Sequence, residues 1–355
     1  FIRMNLVSSS EPENPINDAH RNSHLNRHPL SWQNVMTVWI KIRMTTTANQ
    51  SKVAAWVQAT RPRVFTASFV PMGLAAVIAY QDGVFNLLYF VLALLGVMFL
   101  QTTANLVNEY MDFKRGSDDL KQAGQSMALK QKLLSEQEIL YGAIFATVAG
   151  SLIGLFLLFQ SGPWLWAIGI GGVLIAITYT AGPFPLAYNG LGEVAAGVFM
   201  GPMIVLGAYY VMNPDIDAAK AWQLCLISFP IMFTTAAILH ANNIRDLEAD
   251  RAANKRTLAV MFGREIARKE YIVLLAAAYI SQIILVIIQW MPVTTLLTLL
   301  MIPQTLKLIK IFNTETDPKI LHPAQGNTAK LHGQIGLLMV LGWIAWVVIQ
   351  SFMQT

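Results

Sequence analysis

Long apolar runs separated by short polar joints are the feature that most limits how this chain can fold. They begin after residue 61 and continue almost to the end of the sequence. A helix that crosses a bilayer needs about 20 mostly apolar residues, and about nine runs approach that length. Only 13% of the residues are charged, about half of the share that soluble domains carry. The sequence therefore predicts an all-α, polytopic membrane protein.

About nine transmembrane segments are predicted from these runs. Their approximate extents are 62–80, 85–111, 139–159, 164–180, 191–212, 222–245, 270–290, 292–312 and 333–353. The eighth is the least regular, because Pro303 interrupts it. Joints such as 160–163 are so short that the helices on either side must run antiparallel.

Residues 1–50 differ from the rest of the chain. They are rich in Ser, Asn, His and Pro, and they lack both an apolar period and the apolar core of a signal peptide. We interpret them as a disordered N-terminal extension. Met44 begins an ordinary N-terminus, so we expect residues 1–43 to lie upstream of the functional protein. Residues 51–355 form the predicted transmembrane domain.

Basic residues predict the orientation of this domain. After Met44, every Lys and Arg except Lys220 falls in joints on one predicted side of the membrane. Cytoplasmic loops carry an excess of basic residues, so that side is predicted to be cytoplasmic. The net charge of +5 is explained by this distribution and does not require a nucleic-acid partner.

Two polar motifs with identical spacing end two of the apolar runs on this side. They are Asn105-x-x-Asn108-x-x-x-Asp112 and Asn243-x-x-Asp246-x-x-x-Asp250. Residues at these offsets share one face of a helix. Carboxylate and amide oxygens suit Mg²⁺, which bridges to substrate phosphates through one or two carboxylates. The alternative is that both clusters only cap helix ends at a wet interface. Polar groups within a membrane usually serve a function, which favours the metal interpretation.

Basic side chains near these motifs predict a phosphate site. Lys255 and Arg256 follow the second motif directly, while Arg61 and Lys130 lie on the same predicted side. Carboxylates, Mg²⁺ and cations together describe a diphosphate site, and a diphosphate in a membrane cavity implies a lipid tail. The natural reaction is ionisation of an allylic prenyl diphosphate, with metal stabilising the leaving group.

The motifs resemble the two aspartate-rich motifs of the UbiA superfamily of intramembrane aromatic prenyltransferases. Stretches 105–118, 179–193 and 242–260 are similar to one branch in particular, the 1,4-dihydroxy-2-naphthoate polyprenyltransferases of menaquinone biosynthesis. The resemblance implies a bundle of nine helices around a central cavity. It also implies transfer of a polyprenyl group from its diphosphate to dihydroxynaphthoate, with loss of CO₂, at the cytoplasmic side of a bacterial plasma membrane.

The resemblance also implies residue roles, which are carried over by position. Two Mg²⁺ ions are expected, one held by Asn108, Asp112 and Asp118 and the other by Asp246 and Asp250. The expected catalytic residues are Asn108, Asp112, Asp246 and Asp250; the expected diphosphate ligands are Arg61, Lys130, Lys255 and Arg256. Independently of the resemblance, Tyr179, Tyr188 and Glu193 are expected to contact the acceptor or stabilise a carbocation, because aromatic faces attract cations and a charge at a helix mouth is costly. The alternative for each tyrosine is an interfacial aromatic residue. Asn105, Asn242 and Asn243 are expected to support the motifs.

Two alternatives remain open from the sequence. One is a UbiA-type enzyme with another acceptor, such as homogentisate or 4-hydroxybenzoate. The other is a cation-coupled transporter, although transporters place their coupling sites near the membrane midplane.

Overall fold

A computed structural model describes residues 52–117, 121 and 128–353. Over these residues the chain is almost entirely helical and has no β-strand; its β-type pairing is an isolated parallel bridge between Asn189 and Arg256. The N-terminal extension predicted over residues 1–50 lies outside the described residues.

The helices are numbered α1 to α13 in chain order. They are Thr66–Gln81, Leu87–Lys114, Glu136–Gln160, Trp164–Thr178, Gly192–Val198, Ile204–Met212, Ala218–Ile227, Phe229–Arg245, Leu247–Ala252, Leu258–Phe262, Arg264–Ile287, Ile302–Thr314 and Pro318–Met353. Residues 52–60 are also helical. Short 3₁₀ segments are Pro62–Val64, Leu186–Tyr188 and Val293–Met301, and a π segment, Phe199–Met203, joins α5 to α6.

Every predicted transmembrane segment contains helix, and the all-α membrane fold is confirmed. In the described part of the chain, 6 helical segments are long and apolar enough to cross a membrane. α7 and α8, which meet at a bend of 44°, would add a seventh span if they cross together, and α1 and α4 are shorter apolar helices. A total of nine spans therefore stays a prediction.

Local sequence explains where several helices begin. Asn86 caps α2 by accepting a hydrogen bond from the backbone of Tyr89, and Ser135 forms a reciprocal capping box with Glu138 at the start of α3. The predicted eighth segment is divided next to Pro303, where the 3₁₀ segment Val293–Met301 ends and α12 begins. Pro303 lies in the first turn of α12, where its missing N–H has no intrahelical partner to lose.

Packing places the ends of α2 and α8 beside one cavity. α2 packs mainly against α3, whereas α8 packs against α5, α11 and α13. α13 also crosses α1 and the 3₁₀ segment before α12. There, Gly342 lies directly against the backbone of Thr294 and Thr295, an approach that no larger residue allows.

Candidate active site

A cavity of about 630 Å³ lies inside the bundle. Apolar and small side chains from α2 to α6 line most of it, among them Gly96, Ile153, Gly172 and Met203. Its other end is polar. The polar side chains there include Arg61, Asn105, Asn108, Asp112, Lys121, Asn242, Asn243, Arg245, Asp246, Lys255 and Gln325. The cavity therefore suits a molecule with a long apolar part and an anionic head.

Asp112, in the last turn of α2, is a centre of this polar end. The hydroxyl group of Tyr188 donates to its Oδ1 at 2.7 Å, and Lys121 Nζ donates to its Oδ2 at 3.0 Å. Lys255 Nζ lies 4.0 Å from the same Oδ2. Asp112 is 2% exposed, so these partners balance a charge that water cannot reach.

Asp246 lies where α8 ends and α9 begins. Arg245 donates to both of its carboxylate oxygens, from Nε at 2.7 Å and from Nη2 at 2.6 Å. Arg245 also contacts the amide oxygen of Asn242 and Nδ1 of His322, the latter at 3.1 Å. Such a bidentate pair holds the carboxylate in one orientation at the cavity wall.

Lys255 joins the two motifs. Its Nζ lies 4.0 Å from Asp112 Oδ2 and 3.8 Å from Asp250 Oδ1. Burial favours the neutral amine, but the two carboxylates outweigh it and raise the pKa of Lys255. Burial raises the pKa of Asp250 to about 6 against the attraction of Lys255, with Asp246 adding to the rise. The structure thus brings together two motifs that are far apart in sequence.

The turn before Lys255 depends on a left-handed residue. Asn254 has φ 56°, and the backbone N–H of Lys255 returns to the carbonyl group of Asp250 at 2.8 Å. Asn accepts this backbone region more readily than most residues. Arg61 also has a positive φ, 55°, directly before Pro62. Strained backbone of this kind often marks functional sites.

Tyr188 lies between two cations. The Arg115 guanidinium is 4.3 Å and Lys255 Nζ is 5.0 Å from the centre of its ring. Burial, and then the charge of Asp112, raise the pKa of Tyr188, so its hydroxyl group stays a donor. The ring is already close to two cations, so the geometry suits Tyr188 to holding Asp112 better than to stabilising a carbocation.

Tyr179 and Glu193 take different positions around the cavity. Tyr179 lines it, whereas Glu193 is buried behind the wall. Glu193 Oε1 accepts from Nδ2 of Asn243 at 2.8 Å and lies 2.9 Å from Nδ1 of His240. Asn105 supports the other side, where its amide donates to the Thr60 carbonyl group at 2.8 Å.

Some of the predicted site residues do not line the cavity. Arg256 is exposed, and Asp250 is buried beside the wall. Lys130 is half-buried and donates to the Lys121 carbonyl oxygen at 3.3 Å. Asp118 lies outside the described residues. The assigned roles of these residues stay predictions.

Three cations at the site were not predicted to be part of it. Lys121 and Arg245 line the cavity, and Arg115 donates to the Thr180 carbonyl oxygen at 2.8 Å while it packs on Tyr188. Arg245 directly precedes Asp246 in the sequence, which was an available signal. Nothing in the local pattern indicates that Lys121 reaches Asp112.

The donor set fits Mg²⁺. Asn108 Oδ1 and Asp250 Oδ1 are buried and accept no hydrogen bond in the structure, so both oxygens are available as ligands. Among the described residues, no cluster of three or more His, Cys, Asp or Glu side chains is close enough to hold a metal ion. Mg²⁺ needs no such cluster, because it retains water and binds substrate phosphates alongside one or two carboxylates.

An apolar membrane cavity with carboxylates, amides and cations at one end defines a class of protein that handles a lipid with an anionic head. Residues 69–322 match the model of the UbiA prenyltransferase family. The chain belongs to this family, which makes it an integral membrane protein of the prenyltransferase class.

Comparison with individual proteins agrees with this membership. The chain is 34% identical to a 1,4-dihydroxy-2-naphthoate octaprenyltransferase of Bacillus subtilis, over 80% of this chain and 90% of that protein. It is 32% identical to UbiA prenyltransferase domain-containing protein 1 of Danio rerio, over 83% of this chain and 85% of that one. The structure of a UbiA homologue from Archaeoglobus fulgidus bound to DMAPP and Mg²⁺ superposes with a TM-score of 0.56 at 16% identity, covering 80% of this chain and 98% of that one.

Proposed function

We propose that the protein transfers a polyprenyl group from an isoprenoid diphosphate to 1,4-dihydroxy-2-naphthoate, with loss of CO₂, to give demethylmenaquinone in its reduced, quinol form. The observation that carries this proposal is the cavity, whose long apolar body ends where Asp112, Asp246 and Lys255 converge. The name of the Bacillus subtilis relative supports the choice of acceptor. The relative from Archaeoglobus fulgidus, bound to DMAPP and Mg²⁺, supports the choice of donor.

The polar end would hold the diphosphate head. Asn108, Asp112, Asp118, Asp246 and Asp250 would hold two Mg²⁺ ions, which neutralise charge that develops on the departing diphosphate. Lys255, Lys121 and Arg61 line the same end and would bind the remaining phosphate oxygens. Arg61 Nε is buried and donates no hydrogen bond in the structure, so it is available for such a contact.

The acceptor would meet the allylic carbon deeper in the cavity. As the C–O bond of the donor breaks, positive charge develops on the allylic carbon, which Tyr179, a residue of the cavity wall, would stabilise. The apolar walls exclude water, which protects the electrophile from hydrolysis. The electron-rich ring of the acceptor then forms the new C–C bond, and CO₂ leaves.

The location of the site supports an enzyme over a transporter. Both motifs lie at helix ends, at the C-terminal end of α2 and where α8 meets α9, and neither lies at the 44° break between α7 and α8. We place the site at the cytoplasmic side of a bacterial plasma membrane, because the motifs share their side with nearly all basic residues.

Product analysis tests the function directly. Purified protein is incubated with Mg²⁺, a polyprenyl diphosphate and, in separate reactions, dihydroxynaphthoate, homogentisate or 4-hydroxybenzoate, and products are identified by mass spectrometry. We expect a prenylated, decarboxylated product from dihydroxynaphthoate, and none after chelation of the metal. Equal conversion of all three acceptors would contradict the acceptor assignment and leave only aromatic prenylation. If no acceptor is converted, the proposal that the protein prenylates an aromatic acceptor is contradicted.

A further inference from the structure

A chain of buried acid–base groups leads from the cavity wall to the outer face of the bundle. It consists of Glu193 on α5, His240 on α8 and Glu270 on α11. His240 Nδ1 lies 2.9 Å from Glu193 Oε1, and its Nε2 lies 3.5 Å from Glu270 Oε2 and 2.8 Å from the Ala267 carbonyl oxygen. Glu193 and His240 are buried, whereas the side chain of Glu270 is 29% exposed.

The contacts of His240 determine how many protons the pair with Glu193 holds. A carbonyl oxygen only accepts hydrogen bonds, so the Nε2 atom that faces Ala267 must carry a hydrogen. The contact between Nδ1 and Glu193 then requires one further proton, either on the imidazole or on the carboxyl group. Without it, two lone pairs would face each other at 2.9 Å. The pair therefore holds one proton that can lie on either group.

The inner end of this chain lies directly behind the cavity wall, next to two residues that line the cavity. Asn243, which lines the cavity, donates to Glu193 Oε1 at 2.8 Å. Gly192 also lines it, and a Cβ atom built there would lie 3.5 Å from the Tyr179 hydroxyl oxygen. Glu193 Oε2 is buried and accepts no hydrogen bond in the structure. A buried acceptor of this kind is costly, so a ligand that supplies a donor would gain affinity from it.

Other titratable groups on this part of the bundle are engaged elsewhere. His332 and His322 of α13 approach α8, but they contact Thr234 and Arg245. In the described part of the chain, the charged or titratable side chains that contact His240 are those of Glu193 and Glu270. The chain is thus a separate path and not part of the network around the aspartates.

We propose that Glu193 takes the hydroxyl proton of the aromatic acceptor during C–C bond formation, with His240 and Glu270 linking it to solvent. This inference rests on the proposed function. A ring π pair forms the bond to the allylic carbon, the O–H electrons become the π bond of a ketone, and the proton moves to Glu193 Oε2. When the carboxylate bond breaks, its electrons restore the ring π bond and CO₂ leaves. The ketone π electrons return to oxygen, which takes the proton back.

Kinetics against pH test this role. The full chain is assayed with Mg²⁺, a polyprenyl diphosphate and dihydroxynaphthoate from about pH 5.5 to about pH 9. Glu193→Gln should lower kcat about a hundredfold and remove the rising limb of the pH profile, while KM for the diphosphate stays near wild type. Glu270→Gln removes a negative charge that favours the protonated pair. Its rising limb should therefore move to lower pH, by about one unit.

His332→Gln is the matched control. It alters an equally buried histidine that also contacts α8, so it should lower thermal stability and leave the pH profile unchanged. A wild-type pH profile in Glu270→Gln, which removes a partly exposed group, would overturn the proposal even if Glu193→Gln does not fold. If wild-type protein does not prenylate dihydroxynaphthoate, the proposed function fails, and this role fails with it.

Discussion

Lys255 and Arg256 are neighbours in the sequence but differ strongly in burial and in their electrostatic surroundings. Lys255 is 7% exposed and lies between carboxylates of both motifs, whereas Arg256 is exposed. Both are basic and both follow the second motif, so the local sequence alone does not rank them. Burial strengthens the electrostatic interactions of Lys255 with nearby anions, because water does not screen its charge.

We expect Lys255→Ala to cost much more activity than Arg256→Ala. Loss of Lys255 leaves Asp112 and Asp250 without their shared cation and removes a ligand for the diphosphate. Its kcat/KM for the prenyl diphosphate should fall by about a hundredfold or more, with a much smaller fall for Arg256→Ala. Steady-state kinetics at saturating acceptor measure both. A larger loss from Arg256→Ala would mean that the diphosphate binds outside the cavity.

We expect Asp112 and Asp246 to be required for turnover because they bind Mg²⁺. Asp112→Asn and Asp246→Asn keep size and remove charge, so each should lower turnover at least about a hundredfold. Glu248→Gln is the control, because the Glu248 side chain is 66% exposed and its ion pairs are with Arg251 and Arg264, outside the cavity. Activity is measured across a Mg²⁺ titration. Full activity of either aspartate variant, or of wild type in excess chelator, would contradict metal dependence.

At the residue scale, periodicity predicted the motifs but not their partners. Asn105, Asn108 and Asp112 share a helical face that the sequence displays directly. Lys121 reaches Asp112 from nine residues further along the chain, and His240 reaches Glu193 from another helix. Contacts of this kind depend on how segments pack, which no local pattern encodes.

At the scale of elements, α13 shows where apolar patterning is insufficient. The helix was predicted over 333–353, but it begins at Pro318. Its first half turns Gln325, Thr328 and His332 inward, all of them buried. A search for apolar runs passes over a helix whose buried face is polar, and this half of α13 borders the polar end of the cavity through Gln325.

Two glycines of α13 provide a matched test of helix packing. A Cβ atom on Gly342 would lie 2.8 Å from the carbonyl carbon of Thr294 and 2.9 Å from Cα of Thr295, whereas one on Gly326 would meet nothing within 4 Å. Gly342→Ala should therefore destabilise the protein by about 1–3 kcal/mol. Gly326→Ala should be neutral or slightly stabilising, because Ala favours helix. Thermal unfolding in detergent compares them; equal stabilities would show that this crossing is not tight.

At the scale of the whole molecule, the site lies at one end of the bundle and a smaller polar cluster at the other. That cluster includes Asp82, Tyr209 and Lys220, in which Asp82 accepts from Tyr209 and Lys220 at 2.7 Å each. Lys220 is the only basic residue predicted on its side. The Asp82 ion pair accounts for its presence there without any contribution to the site.

Labelling of single cysteines tests the predicted orientation. In a Cys225→Ser background, Asp215→Cys and Arg251→Cys place thiols at exposed positions near opposite ends of the bundle. A membrane-impermeant maleimide should label Asp215→Cys in intact cells and Arg251→Cys only after permeabilisation, because Arg251 lies on the predicted cytoplasmic side. The reverse labelling pattern would show that the predicted orientation in the membrane is wrong.

The bridge between Asn189 and Arg256 has a consequence for which sequence changes the protein tolerates. The Arg256 N–H donates to the Tyr188 carbonyl oxygen at 3.1 Å, which fastens the turn carrying Tyr188 to the segment carrying Lys255. The link itself uses backbone atoms, so most side-chain replacements at 256 leave it in place, whereas the Asn189 amide also holds the turn by donating to the Pro185 carbonyl oxygen at 2.8 Å. An inserted or deleted residue in either segment would shift the register and pull Tyr188 away from Asp112. Loop length is therefore constrained here even where residue identity is free to drift.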